Sequence, residues 1–298
     1  MSQRLTRLGL PALILSASIA GADTPSTEPA GASGADSAAP ETAVTLAGTE
    51  SWHLTNAQGR PYHIMVSKPQ GEVPYTGGYP VVYVLDGNAY FPAFHAAKQT
   101  QAALQQAIVV GIGYPDEQAL NFLRRSYDFS PPAPAGQNEP PQGGQDELLD
   151  FIEQQLMPAV AERYPVDPHQ QSLFGHSFGG MFAVYALFQR PALFDHVVAV
   201  SPSLWWRDRY LLAPEQRFRQ QVEQGNVSVT HTSLALVMAE GDSAQEIQDA
   251  QALALRLGPL SGHGLRSSVR IEPGEDHMSV PYRVVSRVLT DLLSARRQ

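Results

Sequence analysis

The chain is 298 residues long with 43% hydrophobic and 16% charged residues, which fits a globular protein with a real core and excludes a disordered or multi-spanning membrane chain. Its formal charge of −9, from 20 Lys and Arg against 29 Asp and Glu, argues against nucleic acid and anionic membrane surfaces as general partners. There is no cysteine, so disulfides, lipid attachment through a thiol and thiolate metal sites are excluded.

At the start of the chain, Arg4 and Arg7 precede an apolar run from Leu8 to Ala20 that ends in the small residues Ala20, Gly21 and Ala22. This is the pattern of a signal peptide over 1–22, cleaved after Ala22 and implying a periplasmic or secreted protein. The run is too short, and too broken by Gly9 and Pro11, for a membrane anchor. Residues 23–43 are Ala, Gly, Ser, Thr, Pro and acid with almost no apolar periodicity, and read as a flexible tether. One folded domain is expected over 44–298.

Strands are expected at 51–54 and 62–67, then at the uniformly apolar 80–85 and 107–113, with a helix over 91–104 between the last two. The six prolines in 114–145 predict a long irregular loop facing a substrate. Leu148, Ile152, Leu156 and Val160 form a stripe along one helix over 146–164. Strands at 171–175, 196–200, 233–239 and 269–271 then follow, with helices at 179–190, 244–257 and 280–296. This alternation specifies an α/β architecture, a mostly parallel sheet with helices on both faces and active residues at the strands' carboxyl ends.

Between the strand at 171–175 and the helix at 179–190 stand Gly175, His176, Ser177, Phe178, Gly179 and Gly180. G-x-S-x-G is common by chance, but the strand running in and the helix running out are the setting of a nucleophile elbow, whose sharp turn needs small flanking residues. Ser177 is therefore the candidate nucleophile. A serine hydroxyl needs a base, and His277, in EDHMSV, is the one histidine after the last strand. His176 sits inside the elbow and is assigned to the pocket floor. Glu240 and Asp242 follow the strand at 233–239 and both qualify as the acid; Asp242 is preferred, but neither fits the spacing well, so a Ser/His dyad is the alternative. The oxyanion would be held by the backbone amides of Phe178 and Asn88.

At these residues the chain resembles the esterase D-like family of the α/β-hydrolase fold, and within it the periplasmic esterases of trilactone siderophores such as ferric enterobactin. The pieces that carry the resemblance are YPVVYVLDGNAYF, VVGIGYP, RRSYDFSP, GGQDELLDFIEQQLMPAVAERYPVD, LFGHSFGGMFAVYALF, VVAVSPSLWW and EDHMSVP, in family order over 79–281. The resemblance implies a small-molecule siderophore as substrate, and a subgroup in which a Ser/His dyad suffices. It implies no cofactor and no metal held by the protein, since iron enters only within the substrate. It further implies that Arg124 and Arg125 neutralise the anionic complex while Trp205 and Trp206 offer flat faces to it. The alternatives are a general carboxylesterase or acyltransferase of the same fold and a non-catalytic siderophore-binding protein.

Overall fold

The computed structural model describes residues 45–294 apart from residue 76; the signal peptide and tether expected over 1–43 lie outside them. The strands are β1 Thr49–Thr55, β2 Pro61–Ser67, β3 Tyr79–Leu85, β4 Ile108–Gly113, β5 Val166–His176, β6 His196–Val200, β7 Ser233–Ala239 and β8 Arg266–Glu272. They form one sheet in the order β1-β2-β4-β3-β5-β6-β7-β8, antiparallel where β2 meets β1 and β4, and parallel from β4 to β8. The helices are α1 Gly87–Thr100, α2 Phe122–Asp128, α3 Gln145–Phe151, α4 Met157–Arg163, α5 Phe178–Gln189, α6 Trp206–Arg209, α7 Leu212–Glu223, α8 Ala244–Leu257, α9 Val280–Arg283 and α10 Val285–Ser294.

Successive side chains of a strand face opposite sides, and β3 sorts its residues accordingly. Val82 and Val84 pack with Phe91 and Phe94 of α1 and Val288 and Leu289 of α10. Val81, Tyr83 and Leu85 belong to the other layer, with Leu148, Ile152, Phe182, Phe218 and Leu253. The sheet is thus buried on both faces, which is why its parallel strands are uniformly apolar.

The expected helix over 146–164 is α3 and α4 joined by one π-helical stretch, Ile152–Leu156. Residues four apart on an α-helix drift by about 40° per step. A wider π turn cancels part of that drift, and Leu148, Ile152, Leu156 and Val160 all reach the core. Two expectations need correction. The proline-rich stretch contains a helix, α2, capped where the Arg124 amide donates to Asn121 Oδ1 at 2.9 Å. The segment between β6 and β7, for which no helix was expected, holds α6 and α7, and α7 buries Phe218 and Val222.

The parallel strands end almost level: Val84 pairs with Phe174, His176 with Val200, Val200 with Val237, and Ala239 with Glu272. Whatever follows β3, β5, β6, β7 and β8 is therefore gathered along one edge. At the elbow, a methyl group on Gly175 would drive into the backbone of Gly179 and Gly180, so strand and helix can approach only because that position has no side chain. Gly175→Ala is expected to lower the unfolding free energy by about 3 kcal/mol or more, measured by urea denaturation; a loss under 1 kcal/mol would contradict the packing described.

Candidate active site

Ser177 follows β5 at φ 57, ψ −117, outside the ordinary regions for an L-residue. Three backbone bonds hold it there: its amide donates to Val200 O at 2.9 Å, and its carbonyl accepts from the Met181 and Ser203 amides at 2.9 and 3.1 Å. Strain of this kind persists only where the surroundings over-determine it. The turn lifts the hydroxyl off the strand end, with Ser203 Oγ 3.4 Å from Ser177 Oγ.

His277 lies between β8 and α9, and its Nδ1 is 2.8 Å from Asp242 Oδ1. The Asp242 carboxylate is fully buried, and its second oxygen accepts from the Ser201 hydroxyl at 2.5 Å and the Ala239 amide at 2.8 Å. Burial alone would raise the Asp242 pKa; the donors from His277, Ser201 and Ala239 outweigh it and hold the group below its ordinary value. Asp242 is thus a charged acceptor, so Nδ1 carries the ring proton and Nε2 keeps its lone pair. The bond to Asp242 raises the His277 pKa above 6.5 against the opposing effect of burial. Glu240 is exposed and accepts from the Gly274 amide at 2.8 Å, away from the imidazole. The arrangement is a serine, histidine and acid set, and the dyad expected as the alternative lacks its premise, an absent acid. No Ser177–His277 hydrogen bond is formed among the described residues, a contact that commonly tightens only around substrate.

The two expected oxyanion donors both lie at helix starts. Phe178 is the first residue of α5. At α1, Asp86 adopts φ 51, ψ 47 and its carbonyl accepts from the Ala89 and Tyr90 amides at 2.9 and 3.1 Å. Among the described residues the Asn88 amide has no acceptor, as a donor of the first turn, where the helix dipole favours negative charge. The Asn88 side chain is occupied elsewhere, bonding the backbone of Tyr114, Asp116 and Gln118 and so fixing the loop after β4.

Three assignments change. Arg125, expected to face substrate, is engaged within the fold: its guanidinium makes a bidentate pair with the buried Asp86, both contacts at 3.1 Å, and donates to His176 O at 3.3 Å. It ties the start of α1 to the elbow. Arg124 is also drawn inward, donating to Pro61 O at 3.2 Å, lying 3.6 Å from Asp128 and covering the rings of Tyr62 and Tyr114. His176 does not line a pocket, being 1% exposed. Of the two tryptophans, Trp206 packs edge-on against Phe178 with centroids 4.7 Å apart, and Trp205 lies against Trp206 at 5.6 Å while remaining 41% exposed. Asp86, Ser201 and Ser203 went unread in the sequence, although each directly follows or lies just beyond an apolar strand. A cavity of about 470 Å3 between β6, β7, β8 and α10 includes His196, Ser233 and Arg266 at the strands' opposite ends and belongs to a different part of the fold.

The family model described as Putative esterase matches residues 55–263. The chain is 32% identical over 262 residues to the ferri-bacillibactin esterase BesA of Bacillus subtilis, covering 83% of this chain and 90% of that protein. It is 37% identical over 284 residues to the siderophore triacetylfusarinine C esterase of Aspergillus fumigatus, covering 84% and 94% respectively. Its structure matches that of the BES protein from Bacillus cereus at a TM-score of 0.77 and 31% identity, over 85% of this chain and 99% of that one.

Because the Asp86 carboxylate is 1% exposed, removing its partner strands a buried charge. Arg125→Ala is expected to destabilise the protein by about 3–5 kcal/mol. Chemical denaturation reads this directly, and a change under 1 kcal/mol would show that the pair does not tie these elements together.

Proposed function

The chain belongs to the Esterase family and is a carboxylic ester hydrolase; on that premise we propose that it opens the ester bonds of a ferric catecholate trilactone siderophore of the enterobactin kind. Ser177, His277 and Asp242 act as nucleophile, general base and orienting acid. The observation that carries the mechanism is the 2.8 Å contact of the part-exposed His277 ring with the buried Asp242 carboxylate, on the same sheet edge as a strained serine that precedes the start of α5.

His277 Nε2 takes the proton as Ser177 Oγ attacks the ester carbonyl carbon. The negative oxygen of the tetrahedral intermediate accepts from the Phe178 and Asn88 amides. Asp242 stabilises the imidazolium without taking its proton. The intermediate collapses to the acyl-serine, and the leaving alkoxide recovers the proton from His277. Water then attacks the acyl carbon, His277 again accepting its proton, and the carboxylic acid leaves with Ser177 restored. Each turn adds one water across one ester bond, so a trilactone is first linearised.

The substrate class is supported by the relatives, whose names describe siderophore esterases, and by the Phe178–Trp206–Trp205 wall, which suits flat aryl groups. The N-terminal pattern of 1–22 supports work in the periplasm, and iron would arrive and leave within the substrate. One observation favours a second reading, a general carboxylesterase: the arginine pair expected to clamp an anion is taken up within the scaffold. Incubation with iron-loaded trilactone and chromatography of the products separates the two. Linear esters from the trilactone support the first, and turnover of p-nitrophenyl esters alone supports the second.

Ser177→Ala is expected to cut ester turnover by about 10³-fold or more with the fold intact; activity within tenfold of the parent rejects the nucleophile. The base must be neutral to act, and its raised pKa puts the acid limb of kcat/KM above pH 6.5. In Asp242→Asn that limb should move to lower pH while kcat falls by roughly a thousandfold or more. A kcat within tenfold of the parent, with the limb unmoved, would reinstate the dyad.

A further inference from the structure

We propose that His176, the residue before the serine, is a positioning residue that anchors the backbone of the catalytic histidine through an imidazole held in one tautomer. The proposal rests on His277 being the general base.

His176 closes β5 and is 1% exposed, yet both of its ring nitrogens are paired. Nε2 lies 2.7 Å from the His277 carbonyl oxygen. A carbonyl oxygen can only accept, so Nε2 carries the proton and donates it. Nδ1 is then the acceptor, and it receives the Tyr90 hydroxyl at 2.8 Å. Tyr90 is wholly buried in α1, two residues beyond the Asn88 amide. One chain of two hydrogen bonds therefore links the helix that offers an oxyanion donor, the strand end that carries the nucleophile, and the loop that carries the base.

The His277 loop is held at its flanks, where the Gly241 amide donates to Glu275 O at 2.9 Å and the Val280 amide to Asp276 O at 3.1 Å, and the His277 carbonyl itself is held by His176. Asp276 and Met278, on either side of His277, are exposed. Asp242 fixes the ring at Nδ1, but one hydrogen bond leaves the imidazole free to pivot as the backbone moves, and Nε2 would swing away from Ser177. The bond from His176 to the main chain removes that freedom. Because His176 and Ser177 are consecutive, this bond adds a link of a single residue step between nucleophile and base to the longer one through Asp242.

The ring must also stay neutral, since the two imidazoles lie 4.8 Å apart and His277 becomes a cation in each cycle. Burial, with the charge of His277 adding to it, pushes the His176 pKa down to about 3. The bond to the His277 carbonyl and the charge of Asp242 oppose this, and Arg125 adds to it. The donor thus persists through any pH at which His277 can act as a base.

The test compares His176→Phe, which keeps a buried ring but has no donor, with His176→Gln, which keeps an N–H at about the reach of Nε2. Tyr90→Phe and His277→Ala accompany them, with kcat, KM and the pH profile measured on a p-nitrophenyl ester beside thermal melts. His176→Phe should lower kcat by about 30- to 100-fold, the scale of a sub-ångström to 1 Å misplacement, with KM within about twofold and a displaced acid limb. His176→Gln should recover at least tenfold of that loss. A folded Phe variant within threefold of the parent, or a Gln variant no better than Phe, overturns the proposal. If the Phe variant does not fold, Tyr90→Phe decides, since it leaves the imidazole in place and frees only its tautomer: a three- to tenfold fall in kcat at constant KM is expected, and no fall overturns the assignment. Full activity in His277→Ala would reject the base itself. Loss there beside an unimpaired His176→Phe would reject only the anchor.

Discussion

An L-residue held at φ 57, ψ −117 has to be fixed from outside, and the surroundings of Ser177 are what this fold is built to supply. A conformation of this kind costs about 1–3 kcal/mol. It persists here because β6 lies beside β5 in register, so that Val200 O meets the Ser177 amide, and because α5 and the turn at Ser203 both bond its carbonyl. Gly175 and Gly180 then follow from sterics: Gly175 lies against the start of α5, and Gly180 against Pro202 and the Val200 carbonyl. The double-sided apolar sheet underneath contributes rigidity, since close-packed interiors do not yield to relieve strain at one turn.

Around that turn, buried charge acts on geometry. Asp242 and Asp86 are both carboxylates out of reach of water; Asp242 accepts from Ser201, Ala239 and His277 on three different segments, and Asp86 accepts from two N–H groups of the single residue Arg125. Removing any one donor leaves part of a charge unpaired, so each network resists distortion more strongly than apolar packing would. The Asp242 set joins β6, β7 and the base loop. The Asp86 set joins α1, α2 and the elbow through Arg125. A conformational slip at either would separate groups whose distances matter for attack or for oxyanion binding.

How much of this could be read from the chain depended on how local each signal was. Ser177 stood out because strand, turn and helix are consecutive, and His277 because chain order leaves no competing histidine after β8. That Phe178 and Asn88 would lie at helix starts was reachable from the fold alone, since that placement needs no particular side chain. Asp242 was not separable from Glu240 by spacing. What distinguishes them is depth, with one carboxylate beneath the imidazole and the other in solvent, and depth is a tertiary property. The arginines were misassigned for the same reason: a sequence gives their charge but not that Asp86, on a distant element, faces Arg125. Helix α2 is only seven residues long, too short for periodicity to register among prolines. In α7, Pro214, Glu215, Phe218 and Val222 are buried at helical spacing, a pattern that a closer search for stripes could have found.

The inward turn of Arg124 and Arg125 also alters what substrate choice can rest on. In a chain of net charge −9, an anion would normally be drawn to a local excess of cations, yet Arg125 is paired bidentately with Asp86 and Arg124 lies 3.6 Å from Asp128. What extends from the residue after Ser177 is aromatic: Phe178, then Trp206 against it, then the part-exposed Trp205, whose indole N–H donates to Glu246 at 3.1 Å. Stacking on such faces recognises the planarity of an aryl group and is nearly indifferent to a charge carried elsewhere on the ligand. A wall of this kind separates aryl-bearing esters from small alkyl ones by area and shape. Were the proposed ferric trilactone the substrate, its iron would act through the rigid geometry it imposes on the ligand, because a chelated trilactone presents its ester bonds in a fixed relation to its aryl groups and an iron-free one does not.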